Sequence, residues 1–388
     1  MSDSNIGFYE SKDLDWIKIK KNSANLETPV LLLDPEIIKL QFKKLSSEFP
    51  EAQIFYALKA NPDENVIATL ANTACGFELA SKEELKLLEP FDVSANRIAF
   101  GNTIKKAQDI QYFYASGVRL FASDSEEDIC TLAKLAPASK VYIRLLAEPS
   151  DTADWPLDRK FGCYKDYAIK LLILAKDLGL IPYGISFHVG SQQNNPDAWE
   201  SAIKNAGKIF ADCAEIGIEL KLLNIGGGFP VAYLKAVPDI KNFAKTIQHA
   251  IRQYFKKTPI LMMEPGRYLV AEAGILVTET MLVTRKHEAE SRWVYLDVGV
   301  FGGLTEAAAE ATKYPIFCDK TADSDSEVIL AGPTCDGRDI LYEHYRYELP
   351  DTLALGDRLY LLNAGAYTVS CGSVAYNGFK PIAVSILT

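Results

Sequence analysis

Ile54-Phe55-Tyr56-Ala57-Leu58-Lys59-Ala60-Asn61 is a short apolar run that closes on a lysine. A run of this length and texture reads as a buried strand. Seven more follow, at 76–81, 98–102, 120–124, 141–146, 184–191, 220–228 and 260–268, and several of the stretches between them, such as 82–88 and 167–178, carry a helix-like pattern. Strands alternating with helices build a parallel sheet, and eight β/α units predict an α/β fold of TIM type, a (β/α)8 barrel, which uses about 250 residues. Lys59, Glu78, Asn102, Asp124, Arg144, His188, Gly226 to Gly228 and Glu264 all fall late in these runs. In such a barrel the strand ends form the catalytic face.

After about residue 270 the texture changes to β-branched and aromatic runs with turn signals, at 275–283, 292–298, 358–362 and 381–387. This predicts a separate C-terminal β domain over 271–388, sandwich- or barrel-like, behind a barrel over 31–270. Residues 1–30 are expected to join the β domain. The Asp- and Ser-rich stretch 320–327 is its candidate mobile loop. No internal repeat is visible beyond the β/α period.

The chain of 388 residues is 48% hydrophobic, enough for a large core and against disorder. Its net charge of -10 argues against nucleic acid as a partner and is compatible with a cationic small substrate. No apolar run reaches the ~20 residues that span a bilayer. The first thirty residues lack a basic segment followed by an apolar one, so no secretory signal is expected. Seven scattered cysteines, an odd number, read as reduced thiols of a cytoplasmic protein, and no paired Cys/His spacing suggests a metal site.

The late residues have chemistry to offer. Lys59 would emerge from the barrel core into a partly desolvated mouth, where a free amine can attack an aldehyde, although a lone strand-end lysine is also an ordinary snorkelling residue. His188 sits in Ser186-Phe187-His188-Val189-Gly190-Ser191, either as a hydrogen-bonded core histidine or as a flat ring that stacks on a cofactor beside a hydroxyl. Gly226-Gly227-Gly228 lets amides converge on an anion without Cβ obstruction; a tight turn closed by Phe229-Pro230 is the plainer reading. Glu264, on a mostly buried strand end, needs a cationic partner, either a protonated pyridine nitrogen or Arg267 three residues on. Gly266 and Arg267 could share the anion with the glycines. With the late pair Cys335-Asp336, these are the parts that hold pyridoxal 5'-phosphate and discharge a carbanion.

Taken together, these motifs resemble the fold-type III pyridoxal-phosphate decarboxylases, in their ornithine/lysine decarboxylase branch. The resemblance runs from Tyr56-Ala57-Leu58-Lys59-Ala60-Asn61 through Gly76-Phe77-Glu78-Leu79-Ala80-Ser81, Lys160-Phe161-Gly162 and His188-Val189-Gly190-Ser191. It continues through Glu264-Pro265-Gly266-Arg267-Tyr268, Gly332-Pro333-Thr334-Cys335-Asp336-Gly337, Gly365-Ala366-Tyr367-Thr368 and Tyr376-Asn377-Gly378-Phe379. It implies that Lys59 carries the cofactor as a Schiff base, that His188 stacks on its ring and that Glu264 keeps the pyridine nitrogen protonated. Ser191, the Gly227 and Gly228 amides, Arg267 and the Tyr367 hydroxyl would grip the phosphate. Members of the family are homodimers with shared active sites, so Cys335 would enter from the partner to return a proton to Cα. Asp336 would enter with it to receive the distal ammonium of a diamino acid.

The implied reaction is decarboxylation of L-ornithine to putrescine, or of L-lysine to cadaverine. Glu310, in Thr305-Glu306-Ala307-Ala308-Ala309-Glu310-Ala311, lies where relatives place an acidic side chain for the distal group; a solvated helix-face charge is the plainer reading. Two departures stand out, Glu78 and Asn224, where many relatives have Asp. Arginine or diaminopimelate as substrate, and a non-catalytic homologue that binds the cofactor, remain open.

Overall fold

The computed structural model describes residues 14–146, 152–155, 159–320 and 322–388, and the chain divides into two compact units. One comprises residues 39–230 and 238–268; the other comprises the remaining described residues up to 38, 231–237 and 269–388.

The first unit is a closed parallel barrel of Gln53–Ala57, Gly76–Leu79, Ile98–Phe100, Leu120–Ser123, Lys140–Arg144, Ile181–Ser186, Leu222–Asn224 and Ile260–Met263. Each strand lies in or overlaps one of the eight apolar runs. Met262 and Met263 pair with Gln53 and Ile54 to close the ring. Inside it, Phe55, Ala99, Ala122, Tyr142, Leu222 and Met262 form a packed apolar cluster. Side chains alternate across a strand, so the residue two positions later points the same way. That places Arg144, Asn224 and Glu264 one layer above Tyr142, Leu222 and Met262.

The helices outside follow from their sequences. Ile240–Tyr254 buries Ile240, Phe243, Ala244, Ile247, Ala250 and Ile251, a stripe at three- and four-residue spacing. Asp63, Ser81 and Asp239 cap their helices by accepting N–H bonds at 2.9, 3.3 and 2.9 Å.

The second unit is an eight-stranded mixed sheet. Val30–Leu33 pairs antiparallel with Gly274–Thr284 and parallel with Ala383–Ile386. Consequently this strand, like the described residues before it, belongs with the β unit, which extends to residue 38 where the sequence suggested a boundary at 31; residues 1–13 of the expected N-terminal segment lie outside the described residues. Alternation buries both faces: Leu31, Leu276 and Leu361 join one core cluster, while Val30, Leu32, Ile275, Val277 and Tyr360 join another. Ile19, from the helix Trp16–Ser23, packs into the second cluster, where Trp16 stacks on Phe317 at 3.7 Å.

The stretch 320–327 is not a loop throughout. Asp325–Ala331 is a strand held between Arg292–Leu296 and Ile340–Pro350, whose backbones supply the bonds that its polar first half does not advertise. Residue 321 lies outside the described residues. Among these no helix is long and apolar enough to cross a membrane.

Candidate active site

The strand Gln53–Ala57 stops two residues before Lys59, which rides on a single 3-10 turn, Leu58–Ala60. Leu58 and Ala60 are buried and the buried Tyr56 hydroxyl donates to the Asn61 carbonyl at 2.9 Å, so the turn is anchored while Lys59 faces solvent. Around Lys59 gather Glu78, Arg144, His188 and Glu264, close enough for their charges to act on one another.

Glu264 is half-buried just past the strand Ile260–Met263. Its Oε1 accepts the Asn224 amide at 2.6 Å and lies 3.4 Å from the Tyr142 hydroxyl. Burial and the neighbouring Glu78 carboxylate push its pKa up to about 7, against the pull of Asn224, Arg144 and Lys59. Burial also raises Glu78, with Lys59 and Arg144 opposing. Two carboxyls that resist ionisation mark a place prepared for added positive charge.

His188 is a neutral ring at physiological pH. Burial, then Arg144 and Lys59, lower its pKa to about 3. The Gly190 N–H donates to its Nδ1 at 3.0 Å, which puts the ring proton on Nε2 and sets the plane of the imidazole.

Beyond Asn224 the chain enters the glycine turn. Gly226 and Gly228 adopt φ of +66° and +95°, where a side chain is strained. A Cβ on Gly227 would lie 2.4 Å from the Glu264 carbonyl oxygen, and one on Gly228 2.2 Å from that of Gly190. Only bare backbone fits here. Buried Arg267, just after Gly266, reaches the Ser191 hydroxyl at 3.4 Å, which sets a guanidinium beside a hydroxyl.

Cys335, Asp336, Glu310 and Tyr367 all lie in the other unit. The loop bearing Cys335 and Asp336 is braced by buried Asp339, which accepts the Val300 N–H and both the N–H and hydroxyl of Thr334 at 2.7 to 3.0 Å. Cys335 is exposed and its N–H bonds the Asn377 side chain at 3.0 Å. Asp336 takes a two-pronged bond from Arg338, at 3.0 and 2.7 Å, together with the Arg338 N–H and the Tyr376 hydroxyl. These donors, Arg338 foremost, hold its carboxyl below the usual carboxylate range.

Glu310 sits not on a helix face but in a kinked segment, where Ala309 and Glu310 have φ of +53° and +57°. Its carboxylate accepts the backbone N–H groups of Glu343, His344 and Tyr345 at 2.6 to 2.9 Å. Burial pushes its pKa up, but these three bonds outweigh that and hold it low. The geometry gives Glu310 a structural task that its spacing does not reveal. Tyr367 is half-buried with φ of +58°.

Tyr142 and Arg338 escaped the sequence reading as site residues. Tyr142 could have been found two positions before Arg144 on the same strand face; nothing in the sequence marks Arg338 as the partner of Asp336.

Residues 36–271 match the family model for the pyridoxal-binding domain of pyridoxal-dependent decarboxylases. The lysine/ornithine decarboxylase of Selenomonas ruminantium is 31% identical over 93% of this chain and 90% of its own length. The solved structure of SrLDC with PLP and cadaverine superposes with a TM-score of 0.88 at 30% identity, over 96% of this chain and 94% of that one. The arginine decarboxylase of Paramecium bursaria Chlorella virus, bound to agmatine, gives a TM-score of 0.87 at 27% identity, over 95% and 98%.

Proposed function

Because this chain belongs to the pyridoxal-dependent amino-acid decarboxylases, with pyridoxal phosphate as cofactor, we propose that it removes the α-carboxylate of a basic diamino acid, L-ornithine or L-lysine, to give putrescine or cadaverine. The observation that carries the decarboxylation is the gathering of Lys59, the glycine turn and a carboxyl awaiting positive charge in one barrel mouth. The residues fit the cofactor: a turn that tolerates no Cβ suits the phosphate, and Glu264 suits a ring N–H. When bound, pyridoxal phosphate supplies the sink for the electron pair left on Cα as carbon dioxide departs.

The protein's part is to attach, orient and move protons. Lys59 offers the attaching amine. The Gly227 and Gly228 amides, Ser191, Gly266 and Arg267 would hold the phosphate, with the Tyr367 hydroxyl expected to join them, and neutral His188 would face the ring. Residues that would fix both ends of the cofactor would also fix the orientation of the substrate, and with it the choice of bond to be broken. Cys335 returns a proton to Cα, and Asp336 takes the distal ammonium; in a homodimer with shared sites both serve the partner's barrel. We expect Cys335→Ala to retain cofactor but to cut amine formation by about 10²-fold, with aldehyde by-product rising. Unchanged rates and products would remove the thiol from the mechanism.

Arg338 qualifies the choice of substrate. A distal ammonium must share Asp336 with a guanidinium already paired to it. A distal end carrying both charges, as in diaminopimelate, would meet both side chains, which favours that substrate as the second reading. Carbon dioxide release from L- and D-ornithine, lysine, arginine and diaminopimelate separates the two. We expect L-ornithine or L-lysine to be preferred, and Arg338→Leu to lower its KM about fivefold by removing the competitor. Turnover of diaminopimelate alone, lost in Arg338→Leu, would establish the second reading; no release from any of them would overturn both.

A further inference from the structure

Asn224 ends the strand that leads into the glycine turn, and its environment shows what the amide does. It is fully buried at the end of Leu222–Asn224, and its Oδ1 accepts the Gly226 N–H at 2.9 Å. That N–H needs an oxygen opposite, so the orientation of the amide is decided: the NH2 group must face Glu264, whose Oε1 it meets at 2.6 Å. The Tyr142 hydroxyl approaches the same oxygen. Among the described residues Oε2 takes no hydrogen bond. Gly226 is gripped from the other side as well, its carbonyl accepting the Glu264 N–H at 2.8 Å. One amide therefore spans from the glycine turn to the carboxyl.

We propose that Asn224 is a positioning residue for the cofactor's ring nitrogen, its amide pinning Oε1 of Glu264 and leaving Oε2 to meet the ring N–H. This rests on the reading that Glu264 faces that nitrogen. The charges around Glu264 make the donor matter. Burial disfavours its ionised form and the Glu78 carboxylate adds to that, while the Asn224 bond, Arg144 and Lys59 favour it. An acceptor in place of the NH2 group would set two carboxylates at hydrogen-bond distance, a pair that cannot both ionise without cost.

Asn224→Asp is the sharpest test, because it keeps the acceptor for Gly226 and inverts only the contact with Glu264. Asp can stand in for the amide only while it holds a proton. In the pyridoxal-phosphate-loaded protein the variant is expected to gain a titration in its cofactor absorbance between about pH 6 and 9 that the parent lacks, with kcat changing across the same range and KM within about threefold. The new titration is expected to vanish in Asn224→Asp combined with Glu264→Gln. Asn224→Ala is expected to lose at least about tenfold in kcat with the loaded spectrum altered. A parental spectrum and kcat in both Asn224 variants would overturn the proposal. So would weaker cofactor binding with an unaltered loaded spectrum, which would make Asn224 a prop of the glycine turn alone. If Glu264→Gln by itself changes neither spectrum nor rate, the assignment of Glu264 has failed instead.

Discussion

Lys59→Ala is expected to lose turnover by on the order of 10³-fold or more and to leave no cofactor attached to the chain. The amine stands on an anchored turn at the charged mouth formed with Glu78, Arg144, His188 and Glu264, so alanine removes the attaching group without disturbing its support. Lys59 is exposed, and such substitutions typically change stability by no more than about 0.5 kcal/mol. The melting temperature is therefore the control. Borohydride reduction followed by intact mass reads the attachment: the parent chain should gain the mass of the reduced cofactor and the variant should not. Turnover within tenfold of the parent would sink the assignment.

Glu264→Gln is expected to lower kcat by on the order of 10²-fold, because glutamine preserves shape and a bond to Asn224 but brings no charge to the ring nitrogen. A second signature needs no activity. In the cofactor-free protein the folded-state pKa of Glu264 is raised from 4.5 to about 7, so between those values the folded chain holds a proton that the unfolded chain has released. Stability must then fall as pH rises from 4.5 towards 7, with this group contributing about 3 kcal/mol at most. Glu78 and Glu84 are raised by burial too and add to the same slope. The difference between parent and variant isolates Glu264: denaturant unfolding at pH 5 and pH 8 should show a smaller loss in Glu264→Gln. Equal losses would mean that Glu264 is ionised in the empty site. Loading with pyridoxal phosphate should shrink the parent's loss, since a cationic ring nitrogen removes the penalty on ionisation.

Both predictions rest on residues that the chain advertises locally. Each barrel strand is a compact apolar run whose period and length speak for themselves, and a side chain at a strand end points where its neighbours two positions back dictate. Hence Lys59, His188, the Gly226 to Gly228 turn and Glu264 could be placed at one mouth from the order of the runs alone. The glycines announced a backbone close approach, and the 2.2 to 2.4 Å clearances at Gly228 and Gly227 give its cause.

Other features came only with the folded chain, because they depend on groups far apart in sequence. Glu264 meets Asn224 across 40 residues and Tyr142 across 122, so neither partner could be assigned from spacing. Glu310 could be read from sequence as an acid for the distal group or as a charge on a helix face, and its bonds from the N–H groups of residues 343–345 were visible only in the folded chain. Val30–Leu33 and Asp325–Ala331 are held by strands remote in sequence, which drew the first into the β unit and the second out of a supposed loop. Apolar periodicity is a property of the local chain and could be read along it. Which carboxylate is neutralised, by which donor, is settled by tertiary packing, since a buried charge takes the partner that the fold brings to it.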